Sequence, residues 1–164
     1  MAITFNADEI FEMAEDIERN AASFYRQAAK NTADKQTGQT LLNLAAMEDK
    51  HLDTFRLMRK ELTEKQKQQM VFDPDNEAAM YLQVMADSHG TEGRISPTEN
   101  LTGNETIEQL LKIAVNAEKD SIVFYVSLMD LVPAGAGKDK VQAVIDEEIS
   151  HLVILKQQMT MLKT

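Results

Sequence analysis

Cysteine and tryptophan are absent from the 164-residue chain, and it holds only three histidines, three prolines and six glycines. Without cysteine there can be no disulfide, no thiol catalysis and no metal centre held by thiolates. Basic residues are also scarce, because 17 Lys and Arg against 27 Asp and Glu give a net charge of −10. We therefore expect neither a nucleic acid nor a membrane as a partner. No run of about 18 apolar residues is present to form a transmembrane helix.

The residue types that are abundant favour long helices. Alanine, leucine, methionine, glutamate, lysine and glutamine are good helix formers and make up much of the chain. The length suits one domain with its own hydrophobic core. The first residues show neither the basic segment nor the apolar run of a signal peptide, so we expect a soluble helical protein of the cytoplasm.

Apolar residues recur at the spacing of amphipathic helices in four long segments. Short breaks separate the first segment from the second and the third from the fourth, whereas a long connection separates the two pairs. The pattern predicts a helical hairpin over 6–63, a crossover over 64–101 and a second hairpin over 102–163. This is the outline of an all-α four-helix bundle, which we expect to form a single domain over 1–164.

Capping patterns predict where two of the helices begin. Asn6 is followed by Glu9, and Thr102 is followed by Glu105, so each pair has the spacing of a capping box. We therefore predict that the first helix begins after Asn6 and the third near Thr102. Within the crossover, a short helix is predicted over 77–86.

An internal repeat relates the two halves of the chain at a shift of 100 residues without a gap. The matched pairs are Ala14 and Ala114, Glu18 and Glu118, Phe24-Tyr25 and Phe124-Tyr125, Glu48 and Glu148, and His51-Leu52 and His151-Leu152. In each half the first helix carries Glu-x₆-Tyr and the second carries Glu-x-x-His. The two glutamates of a half are equally far from the turn, about 22 Å at 1.5 Å per residue, so they come level on antiparallel helices.

The repeated glutamates and histidines face the predicted core. All four glutamates lie within apolar stripes, and His51 and His151 each follow a glutamate by three residues, on the same helix face. Four buried carboxylates need partners, and no lysine or arginine occupies a matching inward position. Two divalent cations would balance the four charges, and six mixed oxygen and nitrogen ligands suit iron or manganese, with zinc as an alternative. The pattern therefore predicts a dinuclear metal site.

One Glu from each of two helices and Glu-x-x-His from each of the other two is the ligand arrangement of ferritin-like di-iron and di-manganese proteins. The chain resembles the ferritin-like domain of the rubrerythrin family over nearly its whole length. The resemblance rests on the segments Ile17–Tyr25, Met47–Leu52, Ala117–Tyr125 and Glu147–Leu152. It implies a ferritin-like four-helix bundle that holds two iron ions.

The resemblance also implies a role for each repeated residue. The implied metal ligands are Glu18, Glu48, His51, Glu118, Glu148 and His151. Glu18 and His51 would bind one metal, and Glu118 and His151 the other. Glu48 and Glu148 would bridge the pair. Tyr25 and Tyr125 would hydrogen bond to ligand carboxylates, although packing in the core is an alternative role for them. Asp49, Asp146 and Glu147 are most simply solvated, and of these three Glu147 is the best candidate to orient a histidine across the bundle.

Two departures from the family pattern bear on the expected function. Typical rubrerythrins have a C-terminal rubredoxin-like Cys₄ domain. The sequence contains no cysteine to form such a domain, so we expect electrons to come from an external donor, rubredoxin-like or similar. Family members with strong peroxide reductase activity also have an extra glutamate three residues after the third-helix ligand, where this chain has Ser121. Glu15 is the spare carboxylate nearby and a candidate seventh ligand.

The expected function is that of a di-iron oxidoreductase, of the peroxidase or ferroxidase type, which reduces hydrogen peroxide or dioxygen in oxidative-stress defence. We expect a homodimer. The alternative is an iron-handling or iron-sensing protein without turnover, which Ser121 favours. A metal-free helical scaffold is a third interpretation, and under it Glu18→Ala or Glu118→Ala would raise stability by relieving repulsion.

Overall fold

The computed structural model describes residues 5–68, 80, 97 and 101–162. Five helices lie wholly within these residues, and no strand occurs among them. The helices are α1 (Ala7–Asn31), α2 (Lys35–Glu61), α3 (Glu64–Gln68), α4 (Ile107–Leu131) and α5 (Lys138–Met161). Within the described parts of the chain, none of the helices has the length and apolar character needed to cross a membrane.

The four long helices form two antiparallel hairpins, α1 with α2 and α4 with α5, which pack through α1 on α4 and α2 on α5. The predicted all-α four-helix bundle is therefore confirmed. Most of the predicted crossover over 64–101 lies outside the described residues. So does the predicted helix over 77–86, apart from Met80, which is helical and exposed. The short helix α3 contains only charged and amide side chains and buries none of its residues.

The predicted start of α1 is confirmed and that of α4 is wrong. Asn6 and Glu9 form the predicted capping box at α1. Helix α4 instead begins at Ile107, after a capping box in which Thr106 and Gln109 each donate a backbone N–H to the other's side chain. The predicted residues Thr102 and Glu105 close a separate turn, in which the Glu105 carboxylate accepts from the hydroxyl and backbone N–H of Thr102. Gly103, directly after Thr102, has a φ of +83°. A helix cannot continue through this left-handed conformation.

The hydrophobic core consists of two clusters, one toward each end of the bundle. The first cluster includes Phe11, Phe55 and Leu128, and the second includes Phe24 and Leu155. On every long helix the repeated glutamates and histidines lie between the residues of these two clusters. The fold thus places a layer of ionisable side chains across the middle of an apolar core, where ordinary burial would be costly.

Candidate metal centre

The six predicted ligands lie together at the centre of the bundle, on all four long helices. Glu18 is on α1, Glu48 and His51 on α2, Glu118 on α4, and Glu148 and His151 on α5. Each of the six is at most 4% exposed. Their convergence follows from helix geometry, because the i,i+3 spacing of Glu-x-x-His keeps both side chains on one face.

The donor atoms form two groups of four, and within each group they lie within 4.8 Å of one another. The groups are Glu18, Glu48, His51 and Glu148, and Glu48, Glu118, Glu148 and His151. Glu48 and Glu148 belong to both groups. Two neighbouring positions that share two carboxylates have the geometry required for a bridged pair of metal ions.

Each histidine turns its Nδ1 atom toward the shared glutamates. Nδ1 of His51 lies 3.1 Å from Glu148 Oε1 and 3.4 Å from Glu48 Oε2. Nδ1 of His151 lies 3.0 Å from one oxygen of each of the same two glutamates. The two imidazole rings are stacked with their centroids 5.5 Å apart. Both rings therefore present the same nitrogen to the region between the carboxylates.

Several of these buried atoms make no hydrogen bond within the described part of the structure. They are Glu18 Oε2, Glu48 Oε1, Glu148 Oε2, and both ring nitrogens of His151. Nδ1 of His151 is within ion-pair distance of Glu48 Oε1 and Glu148 Oε2, but not in hydrogen-bond geometry. A buried polar atom without a partner costs about 1–3 kcal/mol, and more where it is charged. None of the four carboxylates contacts a lysine or arginine among the described residues. Oxygen and imidazole nitrogen atoms left free in this way are suitable ligands for divalent cations, so the residues present fit a metal pair.

The two buried tyrosines hydrogen bond crosswise to Glu18 and Glu118, the outer glutamates, each of which belongs to one donor group only. The hydroxyl of Tyr25 on α1 donates to Glu118 on α4, and the hydroxyl of Tyr125 on α4 donates to Glu18 on α1. Burial, followed by the charge of the carboxylate it contacts, raises the pKa of each phenol well above its usual range. Each tyrosine therefore keeps its proton and holds a carboxylate of the other hairpin in place. The contact with carboxylates that the resemblance implied is present.

Burial and mutual repulsion favour protons on the two outer glutamates. The pKa of Glu18 is well above its ordinary range, because burial and then the charge of Glu148 disfavour ionisation. The same two causes raise the pKa of Glu118 to about 8. Glu148 behaves differently: burial and the charge of Glu48 act to raise its pKa, but the contacts with the two histidines outweigh them and lower it.

The histidines also hold protons when no metal is bound. Burial acts to lower the pKa of His151, but attraction to the surrounding carboxylates, that of Glu118 first, outweighs burial and raises the pKa to about 12. The same balance raises the pKa of His51, with Glu148 as its strongest partner. In the metal-free protein, protons thus take the place of cations between the carboxylates.

Metal binding is expected to release protons, because a protonated ligand must lose its proton before it coordinates. Because the pKa values of Glu18, Glu118 and both histidines are raised, loading two divalent ions should release protons. The apparent affinity should therefore rise with pH. Calorimetric titration with cobalt(II) in buffers of different ionisation enthalpy counts the protons. A binding heat that does not depend on the buffer would contradict this protonation pattern.

Two further carboxylates considered from the sequence differ in outcome. Glu147 is placed as predicted, with its Oε2 atom 3.0 Å from Nε2 of His51 across the bundle.

The prediction that Glu15 is a seventh metal ligand is wrong. Its carboxylate lies 3.6 Å from Arg59 and 3.9 Å from Arg19, in ion pairs outside both donor groups. An arginine on the neighbouring helix α2 draws this side chain away from the centre.

Comparison with known proteins supports the fold rather than a particular family. No protein family matches the sequence, and neither does any curated protein. Among solved structures, a protein from Thermotoga maritima, provisionally described as a ferritin-like diiron-carboxylate protein, matches with a TM-score of 0.70. The match covers 98% of each chain at 22% sequence identity. The chain therefore has a ferritin-like fold, and the narrower resemblance to rubrerythrins stays a prediction.

Proposed function

We propose that the protein is a di-iron carboxylate oxidoreductase that reduces hydrogen peroxide or dioxygen in oxidative-stress defence, with electrons from a separate donor. The observation that carries the proposal is the pair of buried donor groups that share Glu48 and Glu148. Carboxylate and imidazole ligands in this mixture suit iron, with manganese or zinc as alternatives. The description of the Thermotoga maritima protein as diiron-carboxylate adds support for iron.

Each half of the repeat would supply the ligands of one metal ion. Glu18 and His51 would hold one iron, and Glu118 and His151 the other. Glu48 and Glu148 would bridge them. When bound, a pair of ferrous ions supplies the two electrons that, with two protons, convert hydrogen peroxide to two water molecules without a radical step.

The surrounding side chains of this chain orient the ligands and exclude water. Tyr25 and Tyr125 hold the outer carboxylates through their hydroxyl protons, so that these ligands cannot rotate freely. Phe24 packs on Tyr25 with ring centroids 5.6 Å apart, and Phe55 packs on Tyr125 at 5.1 Å. These rings limit access to species small enough to pass between helices.

A small cavity between α1 and α4 reaches one end of the centre. Its volume is about 10 Å³, room for one water-sized molecule. Its lining includes Ala21, Ala117 and Ser121, and it reaches the ligand Glu118. A cavity of this size has no room for a larger organic substrate, which supports a small molecule as the reactant beside Glu118.

Filling this cavity is expected to slow the reaction without removing the metals. Ala117→Leu adds three carbons at a half-buried lining position. We expect oxidation of the reduced protein to slow by about tenfold, which is ~1.4 kcal/mol of barrier. Stopped-flow absorption measures the rate, and iron content is measured in parallel. Ala143→Leu, at an exposed position of α5, is the control. Equal rates for both variants would contradict this route of entry.

The proposed function is tested by mixing the ferrous protein with hydrogen peroxide and, separately, with dioxygen. We expect at least one oxidant to react much faster than it does with free ferrous ion, with two electrons consumed per chain. If neither reaction is accelerated while two irons remain bound, the protein is an iron-handling or iron-sensing protein. The buried Ser121, which offers no anionic oxygen beside Glu118, is the observation that favours this second function.

A further inference from the structure

The two histidines are equivalent in the sequence repeat but not in the structure. Nε2 of His51 lies 3.0 Å from the carboxylate of Glu147. Nε2 of His151 is buried and makes no hydrogen bond among the described residues. The two rings therefore differ at the nitrogen that points away from the shared glutamates.

A single position of the repeat accounts for this difference. At a shift of 100 residues, Glu147 corresponds to Met47, a half-buried side chain without charge. The tyrosine contacts keep the symmetry, because Tyr25 and Tyr125 bond to Glu118 and Glu18 in the same way. Within the part of the chain that the structure describes, only His51 therefore has a carboxylate partner outside the cluster.

A carboxylate behind a histidine changes how that histidine binds a metal. It accepts the proton of the far nitrogen, fixes the tautomer and ring orientation, and makes the near nitrogen a stronger donor. In His51 this places the proton on Nε2 and leaves Nδ1 free to coordinate. In His151 a proton on Nε2 has no acceptor among residues 5–68 and 101–162, so no described carboxylate fixes the ring orientation or makes Nδ1 a stronger donor.

We infer that Glu147 is a positioning residue that makes the two metal positions unequal, so that the position of Glu18 and His51 fills first. The inference rests on the proposed metal centre. Because reduction of peroxide needs two metals, occupation of the weaker position, with Glu118 and His151, would decide when the centre becomes active. The difference between the positions thus couples activity to the supply of metal.

Titration of the metal-free protein with cobalt(II), followed by visible absorption against a competing chelator, tests the inference. We expect two binding steps in the wild type. Glu147→Ala should weaken the tighter step by about 10–100-fold and leave the weaker step unchanged. Asp146→Asn is the matched control, because this neighbouring carboxylate bonds to Gln142 and to neither histidine.

The converse variant provides a gain-of-function test. Met47→Glu should offer His151 the missing acceptor and tighten the weaker step toward the tighter one. In the zinc-loaded wild type, ¹⁵N NMR should show His51 protonated at Nε2, and Glu147→Ala should alter the shift of that proton. A merely structural role for Glu147 would not change these ring signals.

The outcomes separate this inference from the proposed function. Two equal steps in the wild type, or equal weakening of both steps by Glu147→Ala, would overturn the inference and leave the metal centre intact. If the wild type binds no cobalt at all, both the inference and the proposed function are wrong. Loss of the tighter step alone in Glu147→Ala would support both.

Discussion

Glu48→Ala is expected to remove more metal than Glu18→Ala. Glu48 contributes to both donor groups, whereas Glu18 contributes to one. After reconstitution with ferrous ion, Glu18→Ala should retain about one iron per chain, and Glu48→Ala should retain less than one, against about two in the wild type. Metal analysis of the desalted protein measures these values.

A surface glutamate provides the control for these ligand variants. Glu108 on α4 is exposed and pairs with Lys112, so Glu108→Ala should retain both irons. If the Glu48 and Glu18 variants lose equal amounts of iron, Glu48 does not bridge. If all three variants bind like the wild type, the buried cluster is not a metal site.

Removal of metal is expected to lower the melting temperature by roughly 10 °C. Ions present at about a thousand times their dissociation constant stabilise a folded protein by ~4 kcal/mol, and each kcal/mol corresponds to about 2–4 °C for a chain of this size. Calorimetric melting before and after treatment with a chelator measures the difference. Protein refolded with ferrous ion should regain the higher value.

The same melting measurement distinguishes the proposed metal-binding function from the interpretation of the protein as a metal-free helical scaffold. Under that interpretation a chelator leaves the melting temperature unchanged, and Glu18→Ala raises it because a buried acid is removed. Under the proposed function, Glu18→Ala lowers the melting temperature of the iron-loaded protein. The two accounts therefore predict opposite signs for one substitution.

Helical periodicity and the internal repeat were sufficient to predict the central cluster. Glu48 and His51 had to share a face because of their spacing, and the repeat placed the same pair on α5. The bundle and the start of α1 followed from equally local signals. These features depend on the period of the helix and on side chains close in sequence, both of which are visible in one chain.

Other features depended on contacts between helices. Seven residues span about 10 Å along a helix, so Tyr25 cannot reach Glu18 on its own helix. It reaches Glu118 because α1 and α4 run antiparallel, and that pairing was not assigned from the sequence. Glu15 was misjudged because its partner Arg59 comes from α2.

The start of α4 was misjudged for a different reason, which is local. Two overlapping capping patterns compete there, one at Thr102 and one at Thr106. The positive φ of Gly103 decides between them. A glycine one residue after a candidate cap was the available signal, because the left-handed conformation that it permits would interrupt the first helical turn.

The most direct test of the central claim is a crystal structure of iron-loaded protein with anomalous scattering measured at the iron absorption edge. The account predicts two anomalous peaks, one beside Glu18 and His51 and one beside Glu118 and His151, with the two shared glutamates between them. A single peak, peaks away from these residues, or no peak in protein reconstituted with ferrous ion would contradict it.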